Sequence, residues 1–256
     1  MTGSDLAVSV PLVLAGGGVV CYAVAKALPA GRRYWVGSVA ALWQAAAFVL
    51  LLVAAEMGLG TSDGPFALLD ASYLGLVVGL LATGLGALAA LASQGRIARD
   101  GPVHLYYPLF LFAVAGAVAV GFSDDLFTLF VMVELSALPS YALVAYGWRE
   151  DPAAASAAIK YLLQGVTGTV TALFGVALLY VAGGTLSISA LPAALAAADP
   201  PWVALAAGLV LVGYGVKLAR PPHLQRQGRL RAVPEEGSPA VPDPATWTGL
   251  GFRGRP

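Results

Sequence analysis

Charge is scarce in this sequence. Asp, Glu, Lys and Arg make up 11% of its 256 residues and cancel to a formal net charge of zero, where soluble domains are usually about a quarter charged. No basic block precedes residue 217, so the electrostatic footprint of a nucleic-acid binder is missing. Cysteine is scarcer still. With Cys21 alone, neither a disulfide framework nor a cysteine-held metal or iron–sulfur centre can be assembled from this chain. Histidine is limited to His104 and His223, and neither a glycine-rich strand-to-helix fingerprint nor a Ser/His/Asp arrangement is visible. No cofactor is therefore expected in this chain, and a stand-alone intramembrane enzyme or a receptor-like seven-helix protein is the weakest of the readings. What is abundant is apolar: 59% of residues are hydrophobic and the mean hydropathy is +0.80. That balance belongs to an all-α integral membrane protein, with the lipid bilayer as its solvent.

Crossing the hydrocarbon core takes about twenty apolar residues in a helix. Seven stretches qualify, at 6–28, 35–58, 71–93, 105–122, 126–147, 154–182 and 202–217. The N-terminal run has no basic segment before it, unlike a signal peptide, and is expected to remain as the first span.

Charges between the spans are sorted by sign. Lys26, Arg32 and Arg33 follow span one, Arg96 and Arg99 span three, Arg149 span five, and Arg220, Arg226, Arg229 and Arg231 span seven. Loops after spans two, four and six carry acids instead: Asp63 and Asp70, then Asp124 and Asp125, then Asp199. Basic residues in short loops stay cytoplasmic, so the expected topology is a multi-pass cell-membrane protein with its N-terminus outside and residues after 217 in the cytoplasm. Residues 218–256 are rich in Pro, Arg and Gly with no spanning run, a composition that reads as a disordered polar tail.

Glu134 lies inside the fifth span. An ionised side chain at the centre of a span costs about 2.5–3.5 kcal/mol on insertion scales, so it is expected to face protein or water. Burial favours the neutral carboxyl and a nearby cation favours the charged one; a group poised between the two carries protons, whereas a group fixed in one state is a structural contact between helices. On the same helix, Pro139 removes a backbone hydrogen bond and is expected to kink the span, and Tyr141, seven residues after Glu134, is a candidate relay or a packing residue.

In the sixth span Ser156, Lys160, Gln164, Thr167 and Thr171 recur at spacings of four, four, three and four. That places them along one helix face, as a polar seam that lines a hydrated path or joins helices by hydrogen bonds. Gly165 and Gly168 would admit a close neighbour. Lys217 follows sixteen mostly apolar residues, and by position alone it reads as a lysine snorkelling to the interface. Asp124 and Asp125 read as helix caps.

The blocks DDLFTLFVMVELSALPSYALVAYG, AAIKYLLQGVTGTVTALFGVALLYVAGGTL and LVLVGYGVKLA together resemble the antiporter-like membrane subunits of respiratory complex I, of multisubunit sodium/proton antiporters and of membrane-bound hydrogenases. The likeness is strong over 105–219, diffuse over 1–104 and absent from the tail. It implies that Glu134 and Lys217 form a buried pair whose charge state alternates as protons move, with Lys160 a further charged residue on the same polar axis. It implies other membrane subunits as partners, protons as the cargo with sodium as the alternative ion, and redox chemistry located elsewhere in a quinone-linked NADH dehydrogenase or related complex.

On that likeness residues 1–104 form an N-terminal three-helix segment and 105–217 an incomplete antiporter-like channel repeat. Members of the family continue past the seventh-helix lysine with further helices that include a second, inverted copy of the transport unit. The likeness implies a proline, a histidine and a tryptophan-containing segment directly after that lysine, whereas Pro221, Pro222, His223 and Trp247 stand out of the expected spacing, so a truncated, frameshifted or split gene product is the expectation. A non-conducting scaffold is the competing function.

Overall fold

The computed structural model describes residues 2–59, 69, 72–100, 102–146 and 152–218. Asp63, Asp70, Arg149 and the segment after residue 218, with the charges and prolines read from it, lie outside the described residues, as does the side chain of Arg99. Among the described residues, seven helices are long and apolar enough to cross a membrane. They are α1 (Gly3–Ala27), α2 (Trp35–Glu56), α3 (Tyr73–Asp100), α4 (Val103–Gly121), α5 (Leu126–Val144), α6 (Pro152–Gly183) and α8 (Pro200–Leu218). A short helix, α7 (Leu191–Ala194), and two 3₁₀ turns, Ala30–Arg32 and Leu195–Ala197, complete the helical structure, and no named strand occurs among these residues. The chain is a multi-pass membrane protein.

Most boundaries fall within three residues of those expected, but α3 continues to Asp100, seven residues past 93. Ser93 and Gln94 mark an exit to water when they are read as polar text. In the fold they are used between helices: the Gln94 amide donates to Ser38 Oγ at 3.0 Å and Ser93 Oγ meets the Tyr107 hydroxyl at 3.3 Å. Hydrogen bonds of this kind offset the cost of taking a polar group out of water, so the helix need not end there.

Helix starts follow local chemistry. Thr2 and Asp5 make a reciprocal capping box on α1. Asp125 caps α5 by accepting from the Thr128 amide at 2.8 Å, while Asp124 instead takes the hydroxyls of Ser187 at 3.2 Å and Ser189 at 2.9 Å. So one acid of the pair is the cap expected of it, and its neighbour ties down the loop after α6. That loop begins at Gly184, whose φ of +68° ends α6 in the left-handed conformation. It is held by the Leu126 amide on the Leu186 carbonyl at 2.8 Å and the Ile188 amide on the Asp124 carbonyl at 2.7 Å. The end of α6 is thereby fastened to the start of α5.

Packing divides into two cores. The first is formed by α1, α2, α3 and α4 around Leu14, Leu51, Leu111, Val118 and Phe122, all buried. Trp43 of α2 pins it by donating its indole N–H to the Val13 carbonyl of α1 at 2.6 Å. The second is smaller, with Leu126, Val176, Leu179 and Ala206 from α5, α6 and α8. In it α6 and α8 approach closely at Gly168, where a β-carbon would stand 2.6 Å from the Gly213 carbonyl oxygen, a contact only glycine permits.

Candidate proton site

Glu134 sits eight residues into α5, about 12 Å along a helix rising 1.5 Å per residue, and therefore well away from either end. Lys217 is the penultimate residue of α8. Its ammonium does not turn outward but meets Glu134 Oε1 as an ion pair. Both side chains are largely enclosed, Lys217 at 13% and Glu134 at 23% exposure. An acid that needs a partner in low dielectric has found one, and snorkelling does not describe Lys217 in this fold.

A second donor reaches the same oxygen. Thr169 of α6, a buried residue, donates its hydroxyl to Glu134 Oε1 at 2.6 Å. Thr169 is not part of the polar seam, whose spacing from Ser156 to Thr171 follows a neighbouring face of α6. A usable signal was present: Thr169 lies among Gly165, Gly168 and Ala172, the small residues that mark where other helices come closest.

The five seam residues are placed differently from one another. Ser156, Lys160 and Thr167 are exposed on the surface of the chain, and Gln164 and Thr171 are half-buried. Thr167 and Thr171 spend their hydroxyls within α6, on the Leu163 and Thr167 carbonyls at 2.9 and 2.8 Å. Gln164 bridges helices, its amide donating to the Val216 carbonyl of α8 at 3.0 Å. The fold brings Gln164 to the site and leaves Lys160 outside the cavity beside it.

That cavity, of about 30 Å³, is lined by Ala137, Tyr141, Tyr161, Gln164, Gly165, Val216 and Lys217. A single water fits such a space. Tyr141 is 7% exposed, its ring set edge-on to Tyr161 at 4.8 Å. Its hydroxyl lies over the Cα of Gly165, where any β-carbon would collide with it, and finds no hydrogen-bond partner among the described residues. The Tyr214 hydroxyl, one turn before Lys217, is likewise buried and without such a partner. α5 runs through Pro139 to Val144 as one helix, with Ser136 donating to the Ala113 carbonyl of α4 at 3.0 Å. No group of three or more potential metal ligands occurs among the described residues.

The site is thus an ion pair within spanning helices, met by a threonine, with two buried phenols that find no hydrogen-bond partner among the described residues. Residues 123–223, which contain it, match the family described as NADH:quinone oxidoreductase/Mrp antiporter, TM. Over that stretch the chain is similar to the antiporter-like membrane subunits. Similar relatives include NADH-quinone oxidoreductase subunit N 1 of Solidesulfovibrio magneticus, 37% identical over 82% of this chain and 42% of that protein. NADH-quinone oxidoreductase subunit N of Geobacter metallireducens is 33% identical over 88% of this chain and 47% of that one. Among solved structures, respiratory complex I from Thermus thermophilus with bound aureothin matches at TM-score 0.63 and 30% identity, over 80% of this chain and 43% of the matched chain. An archaeal respiratory membrane complex, the membrane-bound sulfane sulfur reductase, matches at TM-score 0.66 and 27% identity, over 87% and 46%. This antiporter-like chain spans less than half the length of these relatives.

Proposed function

We propose that this antiporter-like subunit moves protons across the cell membrane as part of a multisubunit respiratory complex of the quinone-linked NADH dehydrogenase type. Its partners are other membrane subunits, and the redox chemistry resides in those partners. The observation that carries the reading is the Lys217–Glu134 contact, made between two helices far apart in sequence. While the ammonium touches the carboxylate, each holds the other charged. Withdrawal of Lys217 leaves a carboxylate in low dielectric, which takes up a proton, and return of the lysine expels it. Gln164 and Tyr141 extend the polar route from the pair along α6 and α5, Lys160 adds a further charge on the outer face of α6, and residues 105–217 are the part of the chain that conducts. The family's other chemistry, exchange of sodium for protons, uses the same pair and is the alternative cargo.

A second reading, a non-conducting scaffold, is favoured by one observation: only 11% of an apolar 18-residue stretch of α8 is buried by the rest of the chain, so the helix that carries Lys217 is left mostly uncovered. The test is proton uptake by proteoliposomes holding the assembled complex with Glu134→Gln or Lys217→Ala in this chain. Translocation requires uptake to fall at least about tenfold with assembly intact, the effect of losing one charge-assisted contact. Unchanged uptake would establish the scaffold.

A further inference from the structure

Three threonines of α6 share a habit and one departs from it. Thr167, Thr169 and Thr171 each place Oγ1 against the carbonyl four residues earlier. For Thr167 and Thr171 that carbonyl is the one acceptor of the hydroxyl among the described residues. Thr169 has two: Gly165 O at 2.9 Å and Glu134 Oε1 at 2.6 Å. A hydroxyl carries one hydrogen and two lone pairs, so at any moment it donates fully to one of these neighbours. The Gly165 carbonyl never carries a hydrogen, whereas a carboxyl does in one of its two charge states.

We propose that Thr169 is a positioning residue for Glu134, a two-position hydroxyl that satisfies the carboxyl in both of its charge states. With Glu134 ionised, Thr169 donates to Oε1 alongside Lys217. With Glu134 protonated, the threonine hydrogen turns to the Gly165 carbonyl and its oxygen accepts from the Glu134 O–H. The proton stays on Glu134 throughout; what moves on Thr169 is a rotation about one C–O bond. Threonine suits this because its β-branched side chain is stiff about χ1, so the oxygen keeps its place while the hydrogen changes direction. Burial of Thr169 on the α6 face that α8 approaches keeps bulk water from taking over either role. Since Lys217 and Thr169 meet the same carboxylate oxygen, the threonine is the donor that stays when the lysine withdraws, and it prevents the side chain from swinging away.

This proposal rests on the reading of Glu134 as a proton carrier, and its test is chosen to fail separately. Infrared difference spectra of the full chain in lipid nanodiscs, taken across a pH step, identify the protonated Glu134 carbonyl stretch as the band lost in Glu134→Gln. Thr169→Val, which keeps the shape and removes the hydroxyl, is expected to move that band to higher wavenumber and to slow proton uptake by the assembled complex about tenfold. Thr169→Ser is expected to leave the band in place and restore uptake. Should Val fail to fold, Thr169→Ala reads the same band. A band that stays put in the Val or Ala variant overturns the positioning role, and so does an equal shift in Ser and Val, which would assign the effect to shape. Failure of the transport reading shows instead as unchanged uptake in Glu134→Gln.

Discussion

The two cores of this molecule are built on opposite principles. In α1 to α4, between 33% and 44% of an apolar 18-residue stretch of each helix is buried inside the chain. Its interhelical polar contacts, such as Trp43 on Val13 and Gln94 on Ser38, join neutral groups. In the second region α6 is buried to a similar 39%, but only 17% of α5 and 11% of α8 is, and α5 and α8 are tied by a charged pair. Close packing fixes side chains in one arrangement, which serves an anchor and would stop a charge from separating from its partner. The charged pair lies where apolar packing by α5 and α8 is thin and glycine lets backbones meet at isolated points.

The comparison breaks most visibly at Gly168. Gly168→Leu would drive a side chain into the Gly213 carbonyl, part α6 from α8 and carry Lys217 off Glu134; the expected loss is about 3 kcal/mol together with proton uptake, read by thermal unfolding in detergent and by flux. In the first core the sign reverses at Gln44, which is fully buried with neither amide atom paired among the described residues. Gln44→Met keeps the length and removes two unpaired polar atoms, so stability should rise by about 1 kcal/mol with uptake unchanged. A measured loss of stability would instead place a polar partner at that amide. The smallest effect is expected at Lys160, exposed on the chain surface: Lys160→Ala should hold the unfolding free energy within about 0.5 kcal/mol, so that any fall in uptake reports transport and not folding.

Much of this was legible in the residues. Apolar runs long enough to cross a bilayer exist for one reason, and all seven reappear as helices. Glu134 announced itself by standing in the wrong solvent. Lys217 did not, because its place at the end of an apolar run is where snorkelling lysines also stand; the likeness to a family, and then the fold, turned it inward. The seam in α6 shows the limit of periodicity. Spacing put five polar residues on one face, and it could not say which face looks toward α5 and α8. Gln164 reached the site, Lys160 remained at the surface, and Thr169, off the seam, became the nearest neutral donor to the acid.

The sequence alone determined the medium, the number of spans and the existence of a charge that demands a partner, since all three follow from how many apolar residues lie in a row and what interrupts them. Which partner answers that charge was decided by tertiary structure. It takes the Gly168 approach of α6 to α8 and the clasp of the Asp124–Leu126 segment on the loop after Gly184 to bring residues 134, 169 and 217 to one oxygen atom. Contacts of that kind depend on distances across helices, and no local pattern in the chain encodes them.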